Sequence, residues 1–523
     1  MRRKWYLSFA IILLAVGYIF AMLHDVRWFL GLLIPLVFIA IYDYLQTQHS
    51  ILRNFPILGH LRYILEFIRP EIRQYFIASD QDEKPFSREQ RSIVYQRSKN
   101  EEDTLPFGTQ GDLYKSGYTW LSHSIIPIHA KDIEPRIVIG GERCLQPYSS
   151  SRLNISAMSF GSLSANALMA LNLGAKVGNF AHNTGEGGIS SYHLQGGDLI
   201  FQVGTGYFGC RDDKGNFDPK EFQKEALRPE VKMIELKLSQ GAKPGHGGIL
   251  PAAKVTEEIA HVRKVKMGQD VLSPIAHSTF HTPIELLQFI DEMRTLSGGK
   301  PVGFKLSIGR RHEFLSICKA MLETNILPDF ITVDGGEGGT GAAPVEYSDF
   351  IGAPLENALL FVNNSLVGVN LRDKIRIICS GKIITGFDMV LHIALGSDIC
   401  HSARGMMMAL GCVQSRQCNL NTCPTGVATQ NKRLQWGLVV DEKKHRVANF
   451  HQNTLASFTE IVGAMGLSNP SQIKPFLVKR RVDDVTIKTL DEVFTYLEPG
   501  ALLKDNIPAG FEKIWSAANA QHF

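Results

Sequence analysis

Glu313-Phe-Leu-Ser-Ile-Cys-Lys-Ala-Met-Leu-Glu323, followed by Phe330-Ile-Thr-Val-Asp334-Gly-Gly-Glu-Gly-Gly-Thr-Gly341, decides the fold. The first part is patterned as a helix. The second is a short run of β-forming residues that breaks abruptly into glycine. The same alternation recurs on both sides. Apolar runs occur at Ile155–Met158, Phe180–Asn183, Leu199–Val203, Met233–Leu238, Val302–Leu306, Phe330–Val333, Ile375–Cys379 and Asp398–His401. Helical patterning follows many of them, at Ser164–Val177, Pro283–Arg294, Glu313–Glu323 and Phe387–Leu395. Near-continuous apolar strands separated by helices predict a parallel sheet. Eight such units within about 255 residues match the size of a closed (β/α)8 (TIM) barrel. A doubly wound open sheet would show fewer strands and an early glycine-rich dinucleotide loop. The α/β barrel is the expected fold.

The unusual residues follow the predicted strands. Strand one leads into Met158-Ser159-Phe-Gly161, and strand two into Asn183-Thr184-Gly-Glu186. Strand four leads into Ser239-Gln240-Gly-Ala-Lys243, and strand six into Asp334-Gly335-Gly336 and Gly339-Thr340-Gly341. Ser380-Gly381 follows strand seven, and Ala403-Arg404 follows strand eight. In a barrel these loops share one face, where active sites are built. Glycine lets backbone amides approach a ligand. So many glycines at one end point to a flat, phosphate-bearing ligand, with phosphate held after strands seven and eight. FMN has the right size and charge.

Lys237 and Lys305 lie within apolar strands, where an unpaired ammonium is costly. Each is expected either to pair with a carboxylate or to face the flavin or an anionic substrate. Lys243 and Gln240 are placed to clamp a substrate carboxylate, and Glu186 to orient an amine or imine. Asp334 is either a turn residue or part of the same site. The run Cys412-Val-Gln-Ser-Arg-Gln-Cys418-Asn-Leu-Asn-Thr-Cys423-Pro424 spaces three thiols around one soft metal centre. Zinc would normally want a fourth ligand, whereas three thiolates suit a three-iron cluster. The other five cysteines are expected to be small buried hydrophobes.

Composition narrows the classes. With 44% hydrophobic and 20% charged residues the chain is globular. A net charge of +4, without a basic cluster interleaved with aromatics, gives nucleic-acid binding no support. Trp5–Leu23 and Trp28–Tyr42 carry no charged residue and have aromatics at their ends. They predict a two-helix membrane hairpin, and Arg2, Arg3 and Lys4 place the chain's start and its catalytic part in the cytoplasm. The expected organisation is a transmembrane hairpin over 1–46, a connecting subdomain over 47–147, the barrel over 148–475 and a C-terminal extension over 476–523.

Several motifs then resemble a known family. Met158-Ser-Phe-Gly-Ser-Leu-Ser164, Asn183-Thr-Gly-Glu-Gly-Gly188, Gln240-Gly-Ala-Lys-Pro-Gly245, Asp334-Gly-Gly, Gly339-Thr-Gly-Ala-Ala-Pro344 and the segment from Cys412 to Thr429 resemble the FMN-binding synthase domain of glutamate synthase. The likeness runs over about Pro147 to Pro475 and is nearer to bacterial stand-alone proteins that carry this domain alone. It implies FMN on the barrel, a [3Fe–4S] cluster on Cys412, Cys418 and Cys423, and 2-oxoglutarate beside Glu186, Gln240, Lys243 and Lys237. It also implies reduction of 2-iminoglutarate to glutamate; with the apolar hairpin, the expected location is a bacterial inner membrane. The family's glutaminase domain and NAD(P)H-binding subunit have no counterpart here, so ammonia and electrons are expected from separate suppliers. His246 stands where the large synthases carry Glu. Two other readings accompany this one: conjugation of another amine or oxo acid by the same cofactors, and a membrane-anchored electron-transfer module.

Overall fold

Strand side chains alternate between two faces, and here that period builds the interior of a closed barrel. The computed structural model describes residues 26–523 except 102, 103 and 105. It divides into a unit ending at Glu89 and a unit spanning Gln90–Phe523. In the second unit eight strands pair in parallel: β1 Leu153–Ile155, β2 His182–Asn183, β3 Leu199–Val203, β4 Val231–Lys237, β5 Val302–Leu306, β6 Phe330–Asp334, β7 Arg376–Ser380 and β8 Ile399–Ser402. The ring closes where Ser402 of β8 lies opposite Ile155 of β1. The expected (β/α)8 barrel is present.

β4, β6, β7 and β8 differ from the expected runs only at their ends, β1 and β2 in more than that. β1 sits at Leu153–Ile155 rather than Ile155–Met158, because the chain leaves the ladder after Ile155. Met158 is apolar and buried under the loops, and its N–H donates to the Asn183 carbonyl at 3.0 Å. β2 shrinks to His182–Asn183, with Phe180 stacked instead on His451 at 3.8 Å. Helices Ala165–Gly178, Pro283–Leu296, Arg311–Thr324, Gly386–Ala394 and Val440–Ala464 lie where apolar periodicity places them. Pro219–Ala226 and Leu355–Gly368 add crossovers. Their ends follow ordinary capping chemistry: Ser164 accepts from the Ala167 N–H, and Thr282 with Glu285 forms a capping box.

The interior is stacked in layers. At the N-terminal end Ala181, Ile200, Met233, Phe330, Ile378 and Ile399 form one apolar cluster. Ile139 and Tyr148 plug it from an antiparallel hairpin, Arg136–Ile139 with Tyr148–Ser151. Asp329, just before β6, accepts the Gly141 N–H at 2.7 Å and so fastens the hairpin's turn. Each large apolar side chain in this layer contributes about 1.5–3 kcal/mol by burial. Two residues further along the strands the layer turns polar. Glu235, fully buried, accepts from Asn183 Nδ2 at 2.6 Å, Gln202 Nε2 at 2.7 Å and Thr332 Oγ1 at 2.6 Å. Two residues beyond come Lys237 and Asp334, at the mouth. Beside Glu235, β5 offers Gly303, where a Cβ would meet the Phe330 carbonyl at 2.2 Å.

Outside the barrel, helix Val440–Ala464 packs on Ala165–Gly178 so closely that a Cβ on Gly174 would meet Val447 at 2.7 Å. The C-terminal strands Val478–Arg481 and Ile487–Thr489 join Thr119–Leu121 in a three-stranded antiparallel sheet. The tail thus folds back on the segment that precedes the barrel.

The first unit corrects the membrane reading. Trp5–Leu23 lies outside the described residues. Among the described residues no helix is long and apolar enough to cross a membrane. Helix Val26–Leu45 holds Pro35 and ends in Asp43, which is buried and bonded to His60 Nε2 at 2.9 Å and the Ile57 N–H at 2.9 Å. Its uncharged run, Trp28–Tyr42, reaches about 22 Å at 1.5 Å per residue, short of the ~30 Å bilayer core. The transmembrane hairpin, the membrane as a partner and the inner-membrane location with a cytoplasmic catalytic part are therefore withdrawn.

The polar layer makes a direct prediction. Glu235→Ala strands three buried donors, at about 1–3 kcal/mol each. It should lower stability by about 3 kcal/mol or more, read as an earlier thermal midpoint, with Glu235→Gln recovering part of the loss. An unchanged midpoint for Glu235→Ala would remove Glu235 from this role.

Candidate active site

β4 runs Met233, Glu235, Lys237 up the barrel interior, and the third of these reaches the mouth. Lys237 Nζ donates to Gln240 Oε1 at 2.6 Å and lies 3.1 Å from Glu186 Oε2. Gln240 comes from the loop after β4 and Glu186 from the loop after β2. They border a narrow cleft with Thr205, His246 and Gly248. Glycine is required around Glu186, because a Cβ on Gly248 would meet its Oε1 at 2.5 Å and one on Gly204 its Cβ at 2.7 Å. Burial pushes the Glu186 carboxyl up, but Lys237 and Lys243 outweigh it and hold the group below the ordinary carboxylate value. Lys243, 3% exposed, donates to the Ala342 carbonyl at 2.9 Å and so spans from the β4 loop to the β6 loop. Burial draws it down to about 8, with Glu186 opposing and Lys237 reinforcing the shift.

A second polar group lies on the other side of the mouth. Lys305 Nζ is 3.5 Å from Asp334 Oδ2, which also accepts the Gly241 N–H at 2.7 Å. Ser380 Oγ lies 3.3 Å from Ser156 Oγ. His401, buried beside them, has an Nε2 with no hydrogen-bond partner, and Ser307 Oγ is likewise buried without one. Burial brings His401 down to about 4, so its ring is neutral at ordinary pH.

The remaining expected cofactor residues divide. Asn183 and Thr184 face inward and are consumed: Asn183 by Glu235 and the Gly185 N–H, Thr184 by the Gly185 carbonyl and the Gln202 N–H. The Gly335 and Gly336 N–H groups donate to the Ser380 and Ala353 carbonyls. Gly241 lets the loops touch, since a Cβ on it would sit 1.7 Å from the Gly335 carbonyl oxygen. Ser159 bonds Ser162, and Gly161 has a φ of +102°. Gly339, Thr340 and Gly341 are exposed on the rim. Arg404 donates to the Glu337 carbonyl, next to Gly381 and Ala403 on the β7 and β8 loops.

Other contributors were not singled out in the sequence. Tyr207, left-handed at φ +47°, bonds Thr279 and His277, and His277 Nε2 bonds the Lys237 carbonyl at 2.9 Å. Together they hold the backbone of Lys237. Arg263 Nη2 donates to the Phe160 carbonyl at 2.8 Å and adds a third positive charge near Glu186. Glu235 was legible by the rule used for Lys237, a charge within an apolar strand.

The cysteine segment follows β8. Cys412 and Cys418 are half-buried and Cys423 is buried, and all eight cysteines are free. Cys144 is half-buried rather than fully buried. Burial pushes the Cys412 thiol up to about 11, with Cys418 and Cys423 adding to the rise. The chain bends through left-handed residues at Gly411, Gln414, Arg416, Asn421 and Gly426. Among the described residues no group of three or more His, Cys, Asp or Glu is arranged to hold a metal ion. One tetrahedral ion needs thiolates about 3.8 Å apart. A cluster with one thiolate per iron spreads them further.

A family model described as a conserved region in glutamate synthase matches residues 124–468. The Bacillus subtilis protein "Glutamate synthase large subunit-like protein YerD" is 37% identical over 88% of this chain and 96% of its own length. An archaeal-type glutamate synthase (NADPH) of Thermotoga neapolitana is 35% identical over 60% of this chain, which spans 59% of that relative. Among solved structures a mandelate oxidase superposes at TM-score 0.42 and 11% identity, covering 77% of this chain and 96% of its own. By the family model and the extent of these matches, the chain belongs to the glutamate synthase family and is a glutamate synthase-like oxidoreductase.

Proposed function

We propose that this chain is an FMN- and iron–sulfur-dependent enzyme that reductively aminates 2-oxoglutarate, through 2-iminoglutarate, to glutamate. The observation that carries this reading is the set Lys237, Glu186 and Gln240 around one cleft at the barrel mouth, with the buried Lys243 acting on Glu186 by its charge. A pure electron carrier has no use for such a set. FMN is supported by the orphaned His401 Nε2 and Ser307 Oγ beside Lys305, polar groups that a hydrogen-bonding ring system would complete. Met158, Ser159, Gly161, Lys305, Asp334, Ser380, Gly381, Ala403 and Arg404 would surround it, and Gly339, Thr340 and Gly341 would border it. Three thiols whose charges bear on one another, Cys412, Cys418 and Cys423, would be the donor set for an iron–sulfur cluster. When bound, FMN supplies hydride chemistry and the cluster supplies electrons singly.

The residues of the cleft then have distinct tasks. Lys243 and Lys237 carry two positive charges against the one of Glu186, a surplus that suits a dicarboxylate. Lys243 binds a substrate carboxylate, aided by Gln240. Glu186, held ionised by its lysines, accepts a hydrogen bond from the protonated imine and so fixes its nitrogen. Lys237 keeps a proton at Nζ between Glu186 and Gln240, with its backbone steadied by His277. Glycines 204 and 248 close the backbone around Glu186 and limit water. Ammonia and reducing equivalents come from separate proteins or from solution.

Lys243→Ala should weaken 2-oxoglutarate binding about tenfold or more, since a charged hydrogen bond is worth about 1.5–3 kcal/mol. The flavin absorbance should stay as in the wild type. Isothermal titration of the full-length holoprotein measures this, and an unchanged Kd takes Lys243 out of the pocket. Because Lys243 is charged below about pH 8 and neutral above it, wild-type affinity should fall between pH 7 and pH 9. An affinity that rises over that interval contradicts the assignment.

Cys418→Ser should remove iron and leave FMN bound. Iron and flavin quantification with an EPR spectrum reads both at once, and wild-type iron content in the variant rules out this ligand set.

A further inference from the structure

Lys254 ends a short turn, Ala252–Lys254, and is 2% exposed. Its ammonium has three hydrogens and three acceptors, all backbone carbonyls: Ser162 at 2.7 Å, Cys418 at 3.2 Å and Ala428 at 3.2 Å. The three acceptors belong to different parts of the molecule. Ser162 lies in the loop after β1, beside Gly161. Cys418 is in the middle of the cysteine segment, and Ala428 is at its end. Further bonds run along the same seam. Gln430 Nε2 donates to the Leu163 carbonyl at 2.9 Å, the Ser164 N–H to the Val427 carbonyl at 2.9 Å, and Asn421 Nδ2 to the Ala253 carbonyl at 2.9 Å.

A buried cation must be compensated. Burial draws the Lys254 ammonium down to about 8; the charges of Cys418 and Cys423 oppose that shift and Arg263 adds to it. No carboxylate takes part. Neutral thiols would leave this cation balanced only by carbonyl dipoles, whereas metal-ligating thiolates are anionic. The ammonium therefore stands where a thiolate-bound centre needs a counter-charge, and it also grips the loop proposed to flank the flavin.

We infer that Lys254 is the positioning residue of the cysteine centre, tying Cys418 to the β1 loop and, by its charge, making the centre easier to reduce. This rests on the iron–sulfur reading given above. The step concerned is one electron passing from an external one-electron donor to the centre, lowering its net charge by one. No bond to Lys254 forms or breaks, and no proton is transferred. Without the nearby cation the reduced, more negative state loses more than the oxidised state.

An EPR-monitored potentiometric titration of the full-length holoprotein tests this, with iron and flavin quantified in the wild type, Lys254→Gln and Lys254→Arg. In Lys254→Gln the reduced-to-oxidised ratio at fixed potential should fall about tenfold, a shift of about 59 mV to more negative potential for a one-electron couple. Lys254→Arg, which keeps the charge, should move much less. Loss of iron from Lys254→Gln but not from Lys254→Arg also supports the assignment. Iron-replete Lys254→Gln with the wild-type potential overturns it, as does iron loss from both variants with flavin retained. A wild-type protein without iron is a different result, because it overturns the iron–sulfur reading itself and this inference with it.

Discussion

The column Met233, Glu235, Lys237 on β4 holds the logic of the molecule. Side chains two apart share the barrel interior, so a single strand passes from oil to hydrogen bonds to charge over a few residues. The lowest layer seals the barrel against a hairpin and provides apolar burial. The middle layer buries a carboxylate and satisfies it with three neutral donors from β2, β3 and β6. Only above that layer can Lys237 stand in a fixed position. A charge at the mouth of a poorly packed barrel would wander, while one mounted on a sealed and hydrogen-bonded interior is held for chemistry.

The mouth is built by compensation. Glu186 is forced among glycines that bring the backbone onto it, and the lysines keep it ionised despite burial. Asp334 pairs with Lys305 and also caps the Gly241 amide, so one carboxylate serves an ion pair and a loop. Lys254 follows the same rule away from the cleft, where three carbonyls answer one ammonium. Each buried charge here has a geometric partner on a different loop, and these pairings set the spacing of the loops.

Much of this was legible in the amino-acid order, for physical reasons. Parallel strands buried on both faces read as unbroken apolar runs, so β3 and β5 fall where expected and β4 and β6 differ only at their ends. β1 was misplaced because Met158 is apolar for burial and not for pairing, a distinction that composition does not encode. Lys237 and Lys305 stood out as charges within apolar strands. Glu235 obeys the same rule but was passed over, since its partners are neutral and distant in sequence. Glycines at strand ends also serve contact between loops, as Gly241 does against the Gly335 carbonyl. The apolar N-terminal runs looked long enough for a bilayer when tallied by hydrophobicity alone. Helix Val26–Leu45 shows how a proline and a buried Asp43 bonded to His60 alter that reckoning.

Gly241 leaves one more consequence. Its α-carbon lies against the Gly335 carbonyl with no room for a methyl group, and Lys243 bridges the same two loops through Ala342. The β4 and β6 turns therefore behave as a single rigid plate. Relatives that evolve toward new substrates have little freedom to remodel this side of the mouth. Changes in the shape of the mouth must come from loops outside this pair.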